Sequence, residues 1–151
     1  MKILFFTQYF WPENFRINDV ALYLKKKNHK IEVLTNNPCY PDKSFFSNYY
    51  LNKKKFKKLK GIEISRIPSV NRGKNNILIF INYINFFLCS FVFGINRFMN
   101  KKIDLVFIFC PSPILSALPA IILKKIFKKK VVIWVLDLWP NTLVDLNIIK
   151  N

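Results

Sequence analysis

Four short apolar runs constrain this chain more than any other feature: "KILFFT" (Lys2–Thr7), "KIEVLT" (Lys30–Thr35), "IDLVFIFC" (Ile103–Cys110) and "VVIWVLD" (Val131–Asp137). Each has the length of a strand, and a run with few polar breaks is what a strand covered on both faces of a parallel sheet requires. Between the first two, Ile17, Val20, Ala21 and Leu24 recur at helical spacing, and the segment ends in lysines and Asn28, which suit a helix C-terminus. A β-α-β unit therefore closes within 35 residues, and the right-handed crossover makes its strands parallel neighbours. "GIEISRIPS" alternates as a strand through Ile62, Ile64 and Ile67, and a further helix is predicted from about Ile114, with Ser112 or Pro113 near its start. The succession β-α-β-loop-β-α-β-α-β-(α) predicts an α/β fold: a doubly wound, Rossmann-like domain with a mostly parallel sheet.

Two segments interrupt the pattern. Asn36 to Lys60 is long, irregular and lysine-rich at its end, and a loop of that length in a compact domain is usually functional or mobile. Ile77 to Met99 carries no charge until Arg97 and is long enough to span a bilayer. Against a span stand Asn82, Asn85 and Asn96, basic flanks on both sides, and the strands that resume directly afterwards. The preferred reading is a helix packed on the sheet, its outer face dipping into a membrane interface.

Half of the 151 residues are apolar (52%), which excludes a disordered chain and fits one domain. The net charge of +17 comes almost wholly from lysine, arginine occurring only at positions 16, 66, 72 and 97. Nucleic-acid recognition relies on arginine forks, so nucleic acid is not an expected partner. A solvated lysine surface and an anionic lipid surface remain as readings. Cys39, Cys89 and Cys110 form no C-x-x-C pair and have no histidine cluster beside them, so neither a disulfide framework nor a metal site is expected. The N-terminus reads as a strand and lacks the small-residue cleavage site of a signal peptide.

Ligands of such sheets bind beyond the carboxyl ends of the strands. Three loops meet there. The first, "QYFWPENFRIND", contributes Tyr9, Trp11, Glu13, Asn14 and Arg16; the second, "CPSP", contributes Pro111 and Ser112; the third, "DLWPNTL", contributes Asp137, Trp139 and Asn141. Trp11-Pro12 and Trp139-Pro140 are candidate stacking walls for a sugar or isoprenoid, or else they close the top of the core. Arg16 is placed to meet an anion at a helix N-terminus, and Glu13 either partners a hydroxyl or pairs with Arg16 at the surface. Asp137, ending an apolar strand, is the candidate catalytic residue, with helix capping as its other reading. A dinucleotide fingerprint is excluded, because no glycine precedes Gly61. His29, at the opposite edge, reads as structural.

Taken together, "QYFWPENFRIND", "NPCYP", "CPSP" and "WVLDLWPNTL" resemble the N-terminal domain of family-4 glycosyltransferases of the GT-B fold. The likeness is to the branch of colanic-acid and O-antigen fucosyl- and fucosaminyltransferases. That resemblance implies an acceptor-binding domain, residues 1–151, of an enzyme whose donor-binding domain lies outside this chain. It implies transfer of a hexose-type sugar from a nucleotide-sugar co-substrate, without a resident cofactor, to a lipid-linked saccharide in bacterial capsule or O-antigen synthesis. It further implies work at the inner membrane; a cytoplasmic location at that inner face is expected, and the residues themselves offer Lys53 to Lys60 and Ile77 to Met99 as the lipid-facing elements. Many relatives place a histidine after the strand corresponding to Val131–Leu136; here the loop begins Asp137-Leu138-Trp139, so that role does not carry over. The competing expectation is a non-catalytic scaffold that anchors a separate donor-binding polypeptide.

Overall fold

The computed structural model describes residues 1–73, 75–100, 102–111 and 113–137. A six-stranded sheet runs through the domain in the order β3-β4-β2-β1-β5-β6. Its strands are β1 (Lys2–Thr7), β2 (Lys30–Thr35), β3 (Lys58–Leu59), β4 (Ile62–Arg66), β5 (Leu105–Cys110) and β6 (Val131–Val135). All pairings are parallel except the β3–β4 hairpin, which turns through Lys60 and Gly61, both at positive φ (44° and 80°). Helix α1 (Ile17–Lys26) follows β1, the short α2 (Ser47–Leu51) lies in the 36–60 excursion, and α3 (Asn76–Met99) and α4 (Leu118–Phe127) follow β4 and β5. The chain leaves β1 toward β2 and β4, then returns on the other side to β5, so the topological switch lies between β1 and β5.

The period of two within the strands sorts the core into two layers. Ile3, Phe5, Ile31, Val33 and Ile64 face α1 through Ile17 and Ala21. Leu4, Phe6, Leu34, Val106 and Ile108 face α3 and α4 through Phe86, Phe98, Ala120 and Leu123. Helix α3 meets the rest of the domain along one narrow stripe, Asn82, Phe86, Ser90, Gly94 and Phe98, spaced four residues apart. Gly94 marks its closest approach to α4, since a Cβ there would sit 2.6 Å from Leu123 Cδ1. β1 pairs with both β2 and β5, so a span through α3 would have put β5 across a bilayer from the strand it bonds to.

Within the described residues, predicted strands and helices agree with these elements to within a few residues; the helix predicted after Val131–Asp137 lies outside the described residues. The 36–60 segment departs from expectation. Instead of an irregular loop it contains a 3₁₀ turn at Lys43–Phe46, α2, a second 3₁₀ turn at Lys53–Phe56 and the edge strand β3. Its lysines consequently lie at the β3 edge, across the sheet from β6 and α4.

Candidate functional site

The loop between β1 and α1 is held in large part by its own polar atoms. Thr7 Oγ1 accepts from Tyr9 N–H (3.3 Å), Glu13 Oε2 from Phe10 N–H (3.2 Å), and Asn18 Oδ1 from Trp11 N–H (3.0 Å). The amides of Glu13, Phe15, Asn18 and Asp19 donate to carbonyls of residues 10, 13, 15 and 16. Most of the loop's amides are thus spent, and few are left to cradle a diphosphate. At the helix terminus expected to meet an anion, the Arg16 side chain is exposed and the amides of Asn18 and Asp19 are already bonded.

Glu13 is 1% exposed. Its Oε1 accepts the amides of Cys39 (2.9 Å) and Tyr40 (2.8 Å), which ties the first loop to the one after β2. Burial pushes its carboxyl up to about 7, against the opposing pull of these amides and of Arg66. This corrects the expectation of a hydroxyl partner on a cleft wall and of a surface pair with Arg16: the side chain is a buried clamp.

The aromatics divide in two directions. The Tyr9 ring stacks on Phe15 (5.1 Å between centroids, 10° between planes) and lies 5.3 Å from Tyr40, over which the Arg72 guanidinium sits at 4.9 Å. Tyr9 is itself buried, and desolvation raises its hydroxyl pKa. Trp11 turns the other way, against Phe56 (4.9 Å), while Arg66 donates to the carbonyls of Trp11 and Asn36 and lies over Tyr49. Trp11 is half-buried and packs toward the 36–60 excursion.

Beneath these rings lies a polar layer. Gln8 Nε2 donates to Asn82 Oδ1 (2.9 Å), and Asn82 Nδ2 donates to the Val70 carbonyl. Cys39 lies against Glu13, Arg72 and Asn82, and burial pushes its thiol up to about 12. At the end of β5, Pro111 is buried, and Cys110 Sγ contacts Ser116 Oγ at 3.4 Å. Desolvation, with a smaller contribution from nearby Asp137, raises the Cys110 pKa.

Among the described residues, the polar rim at the carboxyl edge includes Asn14, Arg16, Arg72 and Asp137, of which Asn14, Arg16 and Asp137 are exposed. Arg72 and Tyr40 were not among the sequence candidates. Arg72 reads as part of a turn, and only the fold brings it to Tyr40. Ser112, Trp139 and Asn141 lie outside the described residues. Among the described residues no group of three His, Cys, Asp or Glu side chains could hold a metal ion. His29 lies at the amino edge, 3.4 Å from the N-terminal amine.

Comparison of the sequence with protein-family models and with curated proteins returns no match. The fold has relatives among solved structures. The calicheamicin glycosyltransferase CalG4 superposes with a TM-score of 0.59 at 11% identity, over 99% of this chain and 38% of that one. The glycotransferase of kitacinnamycin gives 0.61 at 8% identity, over 96% and 34%. The C-terminal domain of a hydrogenase from Pyrococcus furiosus gives 0.58 at 15%, over 87% and 89%. By fold the chain is a Rossmann-like α/β domain. It spans little more than a third of the two GT-B glycosyltransferases it resembles.

Proposed function

We propose that this domain is the acceptor-binding side of a GT-B glycosyltransferase of the family-4 type, near the branch that builds colanic acid and O-antigen. A lipid-linked saccharide diphosphate meets its carboxyl edge, and a second domain presents the nucleotide-sugar for hexose transfer. The observation that supports this most is the spent β1–α1 loop. Most of its amides are bonded internally, which leaves it poorly suited to a nucleotide diphosphate, while Arg16 and Arg72 leave cationic groups on the rim. In this reading Arg72 and Arg16 contact the acceptor diphosphate, Asn14 and Asp137 contact saccharide hydroxyls, and the protein works at the cytoplasmic face of the membrane.

A second reading rests on β6. Val132 (45%), Ile133 (40%) and Leu136 (47%) stay exposed on that edge, a surface suited to a donor-binding polypeptide docked on a non-catalytic scaffold. One experiment tests the first reading: calorimetric titration of the purified chain with an N-acetylhexosamine carried on water-soluble farnesyl diphosphate, and separately with UDP- and GDP-sugars. The saccharide diphosphate is expected to bind, with Arg72→Ala and Arg16→Ala each weakening it about tenfold or more, as loss of a charge-assisted contact predicts. Turnover of a nucleotide-sugar by this chain alone, or no response to the acceptor, would overturn it.

A further inference from the structure

The outer faces of α3 and α4 remain unaccounted for by the carboxyl-edge site. On α3, opposite the packed stripe, Ile77 (69%), Ile81 (42%), Leu88 (56%), Val92 (61%) and Met99 (58%) stand exposed at spacings of four and seven. On α4, Ile114, Leu118, Ile122 and Ile126, the first in the 3₁₀ turn before the helix, form a second exposed row at a spacing of four. The two helices pack on each other, Gly94 against Leu123, so the rows belong to one surface. A soluble helix turns its apolar side to the core; here a second apolar side faces out.

The charges around this surface are predominantly positive. Between Glu63 and Asp137 the only carboxylate is Asp104. Lys102, Lys124, Lys125 and Lys128 are exposed at the C-terminal ends of the two helices, with Lys125 among the apolar residues of α4. Such a patch does not complement itself, because a two-fold pairing would set lysine against lysine. An apolar surface bordered by lysines does complement an anionic lipid surface, which takes the side chains into its acyl boundary and the ammonium groups at its headgroups. A groove of about 360 Å³ between Val70 and α3, lined by Phe80, Ile81, Ile84 and Leu88, suits a single hydrocarbon chain.

We propose that the paired outer faces of α3 and α4 are a docking surface for an anionic bilayer, with both helix axes lying in its interface. This inference deepens the acceptor reading by giving it an orientation. Helices in this fold run antiparallel to the strands they cover, so docking them flat turns the carboxyl edge sideways, opening along the bilayer at headgroup depth. A diphosphate headgroup would then reach Arg16 and Arg72 without its lipid leaving the membrane. The face assigned here is not the Lys53–Lys60 cluster, which lies at the far sheet edge.

The test is sedimentation of the 151-residue chain with saccharide-free vesicles of 30% phosphatidylglycerol, against pure phosphatidylcholine, with circular dichroism to confirm folding. Each lysine near the surface is worth about fivefold in partition, so Lys124→Glu with Lys125→Glu is expected to weaken binding by about 25-fold or more. Leu88→Asn with Val92→Asn, both exposed sites, is expected to abolish it. Lys54→Glu with Lys55→Glu makes the same charge change at the other edge and is expected to cost less than about threefold. Failure to sediment at low salt, an equal loss in the Lys54/Lys55 pair, or a concentration-dependent dimer dispersed by Leu88→Asn would each overturn the proposal. Because the vesicles carry no saccharide, these outcomes are independent of the farnesyl diphosphate titration.

Discussion

Glu13 gives a measurable pH dependence whose sign follows from its surroundings. Its carboxyl is buried, and desolvation raises its pKa from an ordinary 4.5 to about 7. The native state therefore holds a proton that the unfolded chain has released across that interval. For an acid shifted upward, stability is greatest below 4.5 and falls as pH rises toward 7. At about 1.4 kcal/mol per pH unit, the interval corresponds to about 3 kcal/mol lost between pH 4.5 and pH 7. Glu13→Gln removes the titration and keeps an oxygen for the Cys39 and Tyr40 amides, but turns an NH₂ toward the Phe10 amide, 3.2 Å from the present Oε2. That mismatch costs about 1–2 kcal/mol at pH 5, where the native residue is protonated. At pH 8 it is offset by relief from burying a charge. Urea unfolding at pH 5, 6, 7 and 8 should show the native chain weakening with pH and the variant nearly flat, the two curves crossing near neutrality. Parallel curves would refute the reasoning, since Glu13 would then not be the group that titrates.

Other expectations follow from equally local contacts. Asn82→Leu strips Gln8 of its bond and should cost about 3 kcal/mol in urea unfolding, whereas Gln8→Leu combined with Asn82→Leu should recover much of it, since removing both partners leaves neither unsatisfied. Gly94→Val forces side-chain atoms toward Leu123 and Phe6 and should cost about 1–3 kcal/mol, with Leu123→Val in the same chain restoring part of the loss. Arg66→Lys should cost about 2 kcal/mol, because a point charge cannot serve the Trp11 and Asn36 carbonyls together while lying over Tyr49.

The frame of the fold was legible because its signal is periodic. Strands buried on both faces and helices ending in lysine read directly from residues 2–35 and 103–135. β3 escaped detection because two residues carry no alternation; only the Lys60-Gly61 turn, both residues at positive φ, hints at a hairpin. The site was less legible. Arg16, Asn14 and Asp137 reached the carboxyl edge as their loops required, but Glu13 did not stay exposed. Its ligands are the amides of Cys39 and Tyr40, and backbone donors leave no mark in a sequence. Arg66 and Arg72 were invisible for a related reason: their aromatic partners, Tyr49 and Tyr40, lie in the excursion whose path depends on tertiary packing.

Helix α3 joins these arguments. By composition it passes for a membrane span, with a mean hydropathy of 2.0 over its most apolar 18 residues. Two of the polar residues that argue against a span, Asn82 and Asn85, help attach it to the domain, with Arg97 beside them, while Asn96 is exposed. Asn82 reaches Gln8 beneath the carboxyl edge, Asn85 accepts the Val70 amide, and Arg97 bonds Ser65 and pairs with Glu32. With those anchors on one side, the other side is free to remain apolar over the full length of the helix. A helix that only completed a core would need one apolar face. The bilayer docking proposed above needs two, and Asn82 links α3 directly to the loop at the carboxyl edge.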